Sequence, residues 1–276
     1  MSELLGLNHV ALRQDGPTLS MGVSSGDWVG VFGPAGSGKS NLLSVMAGRE
    51  RQTQGELTLR CEPAYAEGLS GLKRLRPTLL ARKGRGPHVA SIATEALLAT
   101  RLWDTRNDLL FHLSPSQAAA AELLGPFVSG SPLLVLDGQL DRLDPWTLES
   151  VLQFLRKLKG QGVALIVASN RPELARHFDT LIVLSNSRLK FAGTPEDLIR
   201  SGRAHEFTVV TDDPTAVQAL VAPFAVSIEE SPEGLILRAA EGQDLAARLL
   251  LEGYGTVQFL IHRPPTLEQA LLALCD

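Results

Sequence analysis

The chain has 276 residues, enough for about two domains of ordinary size. Apolar residues make up 44%, charged residues 20%, and the formal net charge is −4, so the composition excludes a largely disordered chain and lacks the basic excess of nucleic-acid-binding proteins. Two cysteines are too few for a disulfide framework, and the absence of a signal peptide or an apolar run of roughly 20 residues predicts a soluble cytoplasmic protein.

The first two-thirds of the chain alternate short apolar strands with amphipathic helical stretches. Trp28–Phe32 is predicted to form a buried strand, and Asn41–Ala47 the helix after it, capped by Gly48. Three further buried strands are predicted, at Leu133–Leu136, Ala164–Val167 and Leu181–Leu184. This alternation is typical of an α/β fold with a largely parallel sheet flanked by helices.

The sequence pattern changes after Ser201–Arg203, and we expect a domain boundary near residue 203. Downstream, the predicted order of elements is β-α-β-β-α-β, the plan of a small ferredoxin-like α+β domain. The six elements are Glu206–Val210, Pro214–Val221, Ala225–Glu229, Leu235–Arg238, Leu245–Glu252 and Thr256–Ile261. A last helix is predicted to begin at Thr266, which forms a capping box with Gln269. The sequence thus predicts one domain at 1–203 and a second at 204–276.

Eight residues between the first buried strand and its helix match the phosphate-loop pattern G-x-x-x-x-G-K-[ST]. They are Gly33, Pro34, Ala35, Gly36, Ser37, Gly38, Lys39 and Ser40. The glycines allow backbone N–H groups to surround phosphate oxygens, and the helix adds its positive N-terminus. Lys39 is expected to contact the β- and γ-phosphates, and the Ser40 hydroxyl to bind Mg²⁺. A chance glycine-rich turn is the alternative, but the flanking strand and helix favour nucleotide binding.

Four further segments resemble motifs of the ATP-binding cassette (ABC) ATPases. Leu133–Asp137 matches the family's second nucleotide motif, and Leu113–Gln117 matches its Leu-Ser-Gly-Gly-Gln signature. Asp141–Asp144 lies where the family has its Ser-Ala-Leu-Asp loop, and Gly193–Leu198 is similar to the segment that closes many such domains. The resemblance covers residues 4 to about 200. It implies a P-loop NTPase sheet domain with a short helical insertion at about residues 68–130, in which Asp137 holds Mg²⁺ through water.

The resemblance also implies ligands and partners. An ABC ATPase subunit binds ATP and Mg²⁺ and pairs head to tail with a second ABC ATPase subunit, here as a homodimer or a heterodimer. A membrane-embedded permease is the other expected partner, which would place the chain in the cytoplasm at the inner face of the cell membrane, with no nucleic acid involved. The residues Arg263–Glu268 look like part of the appendage on bacterial type-2 exporter ATPases, which favours an exporter.

Two residues depart from the family at positions where its members have side chains that act on the attacking water during ATP hydrolysis. Gly138 stands in place of a glutamate, and glycine has no side chain that can act as a base. Asn170 stands in place of a histidine, and a neutral amide carries no positive charge and transfers no proton. We therefore assign no catalytic residue and expect weak or absent hydrolysis.

Two other family features are missing. ABC ATPases have a glutamine in the loop that communicates with the permease. No glutamine occurs between Gly55 and Ser116 of this chain, and Glu67 is the nearest substitute. No aromatic residue precedes Trp28, so the ring that stacks on adenine is also absent. Because stacking stabilises a bound base, we expect reduced nucleotide affinity.

The signature segment is altered at Pro115 and Ser116, which replace its two glycines. Proline has no N–H to offer a phosphate, and serine adds a side chain where the backbone must approach closely. The same residues also predict a helix start, with Ser114 as N-cap, Pro115 in the first turn and Gln117 completing a capping box. We favour this helix start over a working phosphate clamp.

Gly68–Thr94 contains no acidic residue and six basic ones, Lys73, Arg74, Arg76, Arg82, Lys83 and Arg85. A solvated basic loop is the simpler interpretation. The alternative is a surface for an acidic partner or for anionic lipid headgroups.

Three functions stay open on the sequence. The leading one is an ATP-binding subunit of an ABC-type exporter that acts through nucleotide-dependent dimerisation and hydrolyses ATP weakly or not at all. The second is a working ATPase with unorthodox groups, such as Asp141 or a partner residue positioning the water. The third is a regulatory or scaffold module that has left transport.

Overall fold

The computed structural model describes residues 2–11, 17–66, 87–201, 205–223, 225–232, 234–239, 249, 257–263 and 265–275. Two compact units make up the chain, Met1–Ala192 and Gly193–Asp276, so the contacts divide it somewhat before the predicted boundary near residue 203. Apart from Leu249, the predicted helix Leu245–Glu252 lies outside the described residues.

The first unit combines strands with helices throughout its described part. Its strands are β1 (Glu3–Ala11), β2 (Leu19–Ser24), β3 (Trp28–Phe32), β4 (Gln54–Leu59), β5 (Ala64–Tyr65), β6 (Leu133–Asp137), β7 (Ala164–Ser169), β8 (Thr180–Ser185) and β9 (Arg188–Gly193). Its helices are α1 (Lys39–Met46), α2 (Pro87–Ala99), α3 (Pro115–Ser129) and α4 (Pro145–Gly160), with short 3₁₀ turns at Leu110–His112, Leu140–Arg142 and Pro172–His177.

Six of these strands form one sheet in the order β5-β6-β7-β3-β8-β9. The pairings of β3 with β7 and β8, and of β6 with β5 and β7, are parallel, which confirms the predicted largely parallel sheet. Every residue of β3 and of β7 is buried, as expected of strands covered on both faces. Because parallel strands end at the same edge, the carboxyl ends of β3, β6 and β7 bring their following loops together.

A second, three-stranded antiparallel sheet has the order β2-β1-β4, and the sequence pattern did not predict it. Its buried side chains, such as Leu5, join Val31 of β3 and Leu43 of α1 in one hydrophobic cluster. The helix that follows the phosphate loop is therefore held by apolar contacts with both sheets.

The second unit contains α5 (Pro195–Ser201), β10 (His205–Thr211), α6 (Pro214–Val221), β11 (Ala225–Ser231), β12 (Gly234–Ala239), β13 (Val257–Arg263) and α7 (Leu267–Ala273). Its four strands form an antiparallel sheet in the order β11-β12-β10-β13, which is the strand order of the predicted split βαβ plan. Val217 and Val221 of α6 pack with Phe207 and Val209 of β10 to form its core.

The predicted capping box at the last helix is confirmed. The Thr266 hydroxyl accepts the Gln269 N–H at 3.2 Å, and the Gln269 side-chain oxygen accepts the Thr266 N–H at 2.9 Å. Among the described ranges, none of the helices has the length and hydropathy needed to cross a bilayer.

Candidate nucleotide-binding site

The phosphate loop connects β3 to α1, and its conformation depends on glycine. Gly33, Gly36 and Gly38 have φ angles of +149°, +76° and +94°, a region that L side chains rarely adopt. A Cβ atom on Gly33 would lie 2.0 Å from the carbonyl oxygen of Leu184 on β8. Only glycine at position 33 therefore lets the loop pass this close to the sheet.

Lys39 is folded back over the loop that precedes it. Its Nζ donates to the carbonyl oxygens of Gly33, at 2.7 Å, and Pro34, at 2.8 Å. Ser37 is buried, and its hydroxyl has no hydrogen-bond partner among the residues that the structure describes. The side-chain cation thus lies on the loop that the sequence assigns to phosphate, while Pro34, Ala35 and Gly36 form its exposed tip.

Two predicted Mg²⁺ ligands meet at the start of α1. The Ser40 hydroxyl donates to Oδ1 of Asp137 at 3.0 Å, so the structure brings together residues that are 97 positions apart. Hydroxyl and carboxylate oxygens are hard donors of the kind that Mg²⁺ prefers. No cluster of three or more acidic, His or Cys side chains suited to a metal occurs in the described part of the chain. This donor set fits Mg²⁺, which is usually bound by one or two carboxylates together with substrate phosphates.

Tyr65 joins this site, although no sequence pattern indicated it. The Tyr65 hydroxyl donates to Oδ2 of Asp137 at 3.0 Å, and the guanidinium carbon of Arg49 lies 4.5 Å from the centre of its ring. Burial, together with the negative charge of Asp137, raises the pKa of Tyr65 to about 12. The phenol therefore keeps its proton at neutral pH and acts as a donor to the carboxylate.

Gly138 and Asn170, which we expect in place of the family's water-activating groups, lie directly after β6 and β7. Gly138 has a φ of +77°, its N–H donates to the carbonyl oxygen of Ala168 at 3.1 Å, and none of the described heavy atoms lies within 4 Å of a Cβ built on it. Space for a side chain is present there, but the backbone conformation is one that favours glycine. The side chains of Gly138 and Asn170 thus supply neither a carboxylate nor an imidazole.

Asp141 supplies a carboxylate near the same edge of the sheet. Its Oδ1 accepts the Ser169 hydroxyl at 2.5 Å, and its Oδ2 accepts the Asn170 N–H at 2.9 Å. Burial raises the pKa of Asp141, whereas its hydrogen bonds and the positive charges of Arg171 and Lys39 oppose that shift. The Asp141–Asp144 loop is thereby tied to the end of β7.

The signature segment forms the helix start that we favoured. Ser114 is the N-cap of α3, its hydroxyl accepts the Gln117 N–H at 3.3 Å, and Gln117 accepts the Ser114 N–H at 3.0 Å. The Ser116 hydroxyl donates to Oδ2 of Asp144 at 2.8 Å and accepts the Asp144 N–H at 3.0 Å. Hydrogen bonds from the N-terminus of α4, the one from the Thr147 N–H foremost, lower the pKa of Asp144 to about 2.

Two predictions fall outside what the structure describes. Glu67, the substitute for the missing glutamine, and the six basic residues of the Gly68–Thr94 stretch lie between 67 and 86. Of the predicted insertion at about residues 68–130, the described part contains α2 and α3.

Comparison with known proteins adds independent evidence. A family model described as ABC transporter matches residues 17–140, which include the phosphate loop, the signature segment and Asp137. Nod factor export ATP-binding protein I of Rhizobium etli is 27% identical to the chain over 277 residues, covering 93% of this chain and 87% of that protein. The protein of the same name from Burkholderia orbicola is also 27% identical, with 93% of this chain and 90% of that protein covered.

Solved structures show the same fold. An ATP-binding subunit of an ABC transporter superimposes with a TM-score of 0.62 at 20% identity, covering 71% of this chain and 92% of that one. A dimeric ATP-binding cassette in a post-hydrolysis state with ADP and Pi gives a TM-score of 0.60 at 20% identity, covering 69% of this chain and 98% of that one. Residues 17–140 thus match the ABC transporter family model, and the chain is similar over most of its length to Nod factor export ATP-binding proteins.

Proposed function

We propose that this chain is the nucleotide-binding subunit of an ABC-type exporter, that it binds Mg-ATP at Gly33–Ser40, and that it hydrolyses ATP weakly or not at all. Nucleotide binding is supported above all by the glycine-dependent loop, on which Lys39 is folded and beside which Ser40 bonds to Asp137. When bound, Mg²⁺ would offset phosphate charge, with Ser40 and Asp137 as its protein ligands. Export is supported by relatives whose names specify Nod factor export.

Weak hydrolysis is supported by what surrounds Asp137. Gly138 offers no base, and Asn170 offers no cationic imidazole. Loss of a positioned general base typically costs a factor of about 10²–10⁴ in rate. Nucleotide binding would then act by stabilising a pair of cassettes, since a ligand shifts an equilibrium when it binds one state better than the other.

The proposed partners are a second ABC ATPase subunit and a membrane-embedded permease, which would hold the chain at the inner face of the cell membrane. The dimeric cassette among the structural neighbours supports the first partner. A purified chain that associates neither with a cassette nor with a multi-span membrane protein encoded beside it would instead support a regulatory or scaffold role.

Calorimetry with Mg-ATP tests nucleotide binding. Replacement Lys39→Ala removes a charge-assisted phosphate contact and should weaken binding by about 1.5–3 kcal/mol. Lys190→Ala, which removes an exposed lysine from β9, is the matched control and should leave the affinity unchanged. Equal affinities of the wild type and Lys39→Ala would contradict the proposal.

A working ATPase is the second candidate, and Asp141 is the observation that favours it. Its carboxylate is fixed by Ser169 and Asn170 at the edge where a water-activating group is missing. Single-turnover hydrolysis near or above about 1 s⁻¹, the lower end of ordinary enzyme rates, would favour this candidate if Asp141→Asn abolished it. We expect a rate far below that value.

A further inference from the structure

Tyr65 occupies a position from which it reaches the Mg²⁺ carboxylate. It lies on the edge strand β5, in register with Val135 of β6, and Asp137 is two residues further along β6. Residues two apart on a strand share a face, so the phenol and the carboxylate point to the same side of the sheet. The hydroxyl meets Oδ2 of Asp137 at 3.0 Å.

The helix after the phosphate loop contacts the same carboxylate. Ser40 of α1 donates to the other carboxylate oxygen, Oδ1, at 3.0 Å. Asp137 thus accepts the Tyr65 hydroxyl at Oδ2 and the Ser40 hydroxyl at Oδ1.

The bond to Asp137 sets the direction of the phenolic proton. A tyrosine hydroxyl has one proton to donate, and a carboxylate only accepts, so that proton is directed to Oδ2 of Asp137. The Arg49 guanidinium, stacked 4.5 Å from the ring centre, holds the ring in place. Tyr65 is thus an oriented donor to Asp137.

We propose that Tyr65 is a positioning residue for Mg²⁺: its hydroxyl holds Oδ2 of Asp137, so that Oδ1 faces Ser40 and the metal position. The terminal torsion of an aspartate is broad, and a carboxylate without this donor would spread over several orientations. Groups that hydrogen-bond a metal-binding carboxylate commonly set metal affinity in this way. The inference rests on the proposed Mg-ATP binding and adds a residue to it.

The test separates metal binding from nucleotide binding in the full chain. ATP affinity is measured by calorimetry in EDTA, and the affinity of the ATP complex for Mn²⁺, as a paramagnetic substitute for Mg²⁺, by electron paramagnetic resonance. Tyr65→Phe should weaken Mn²⁺ binding by about 10–100-fold, the usual effect of losing such a group, while ATP affinity in EDTA changes less than about twofold. Arg49→Gln keeps the phenol and removes the cation stacked on its ring, so it should cause a smaller loss of Mn²⁺ affinity.

Ser20→Ala, which removes an exposed hydroxyl from β2, is the control and should alter neither affinity. Unchanged Mn²⁺ affinity in Tyr65→Phe would overturn the inference. An equal loss of ATP affinity with and without metal would also overturn it, because Tyr65 would then support the loop as a whole. If Tyr65→Phe does not fold, Arg49→Gln decides on the same two readouts. Wild-type protein that binds no Mg-ATP would refute the proposed function, an outcome distinct from failure of the variants alone.

Discussion

The phosphate loop and the signature segment are both short polar turns at the start of a helix, but their polar groups are used differently. In the phosphate loop, three glycines with positive φ shape the backbone, and the buried Ser37 hydroxyl has no partner among the described residues. In the signature segment, Ser114 and Gln117 cap each other, and Ser116 bonds Asp144. The second turn thus uses its polar side chains within the protein, whereas glycine shapes the first.

This difference shows why similar residue types at a motif position need not have the same function. A polar group already bonded within the protein must break that bond before it binds a phosphate, and the exchange adds little net free energy. Pro115 removes one backbone donor altogether. We therefore expect the signature segment to contribute less to a nucleotide on a partner subunit than the phosphate loop contributes to its own nucleotide.

The largest expected effect comes from the phosphate loop itself. In Gly33→Ala, the new Cβ would lie 2.0 Å from the Leu184 carbonyl oxygen at a φ of +149°. We expect loss of ATP binding and destabilisation by about 3 kcal/mol, combining steric overlap with backbone strain. At position 36, none of the described atoms lies within 4 Å of a Cβ, so Gly36→Ala should lower the free energy of unfolding only by the strain of a positive φ, about 1–2 kcal/mol. Urea unfolding measures the stability of the two variants, and calorimetry measures their ATP affinity. Equal losses in Gly33→Ala and Gly36→Ala would mean that the close approach to β8 is unimportant.

The next prediction concerns ATP hydrolysis and the two segments that depart from the family's pattern, Pro115–Ser116 and Gly138. In a complex with an intact partner cassette, replacing Pro115 and Ser116 together by glycine should raise ATP hydrolysis, because the partner's site keeps its own water-activating groups. Gly138→Glu should raise it less, because Asn170 remains and because position 138 has a φ of +77°. Gly138→Ala is the control for that strain. Equal or reversed rates in the ATPase assay would show that the signature is misplaced or that the head-to-tail pair does not form.

A smaller effect distinguishes capping from ligand binding. Ser114→Ala removes the N-cap of α3 and should lower the free energy of unfolding by about 1 kcal/mol. ATP affinity of the isolated chain should not change, since this hydroxyl bonds Gln117 and no part of the phosphate loop. Urea unfolding measures the stability and calorimetry the ATP affinity of the same sample. Lower affinity without lower stability would mean that Ser114 binds nucleotide and does not cap α3.

The smallest effect is the pH dependence of the bonds to Asp144. Its pKa falls from 3.8 to about 2 on folding, so its ionised form stabilises the native state above pH 3.8, and that stabilisation is lost as the pH falls through about 2. The difference in unfolding free energy between the wild type and Asp144→Ala should therefore be constant from about pH 5 to 8 and shrink below about pH 4. If the difference in unfolding free energy between the wild type and Asp144→Ala changed between pH 5 and 8, a group other than Asp144 would be titrating.

Local patterns of the sequence determined much of the described structure. Buried strands, the phosphate loop and the capping boxes at Ser114 and Thr266 were predicted, because each depends on residues within a few positions of one another. The parallel arrangement also followed, since strands separated by helices favour parallel pairing. The three-stranded sheet was missed because its strands share no regular alternation: β1 is mostly buried, β2 is mixed and β4 is largely exposed.

Tertiary structure alone decided which side chains surround Asp137 and which hold the Asp141–Asp144 loop. Tyr65 is 72 residues from Asp137, and Asp141 is 28 residues from Ser169, so no local spacing links either pair. Both contacts arise because the sheet places β5 beside β6 and β6 beside β7. The sequence determined the phosphate loop by its own short-range geometry, whereas the order of strands determined which groups contact Asp137.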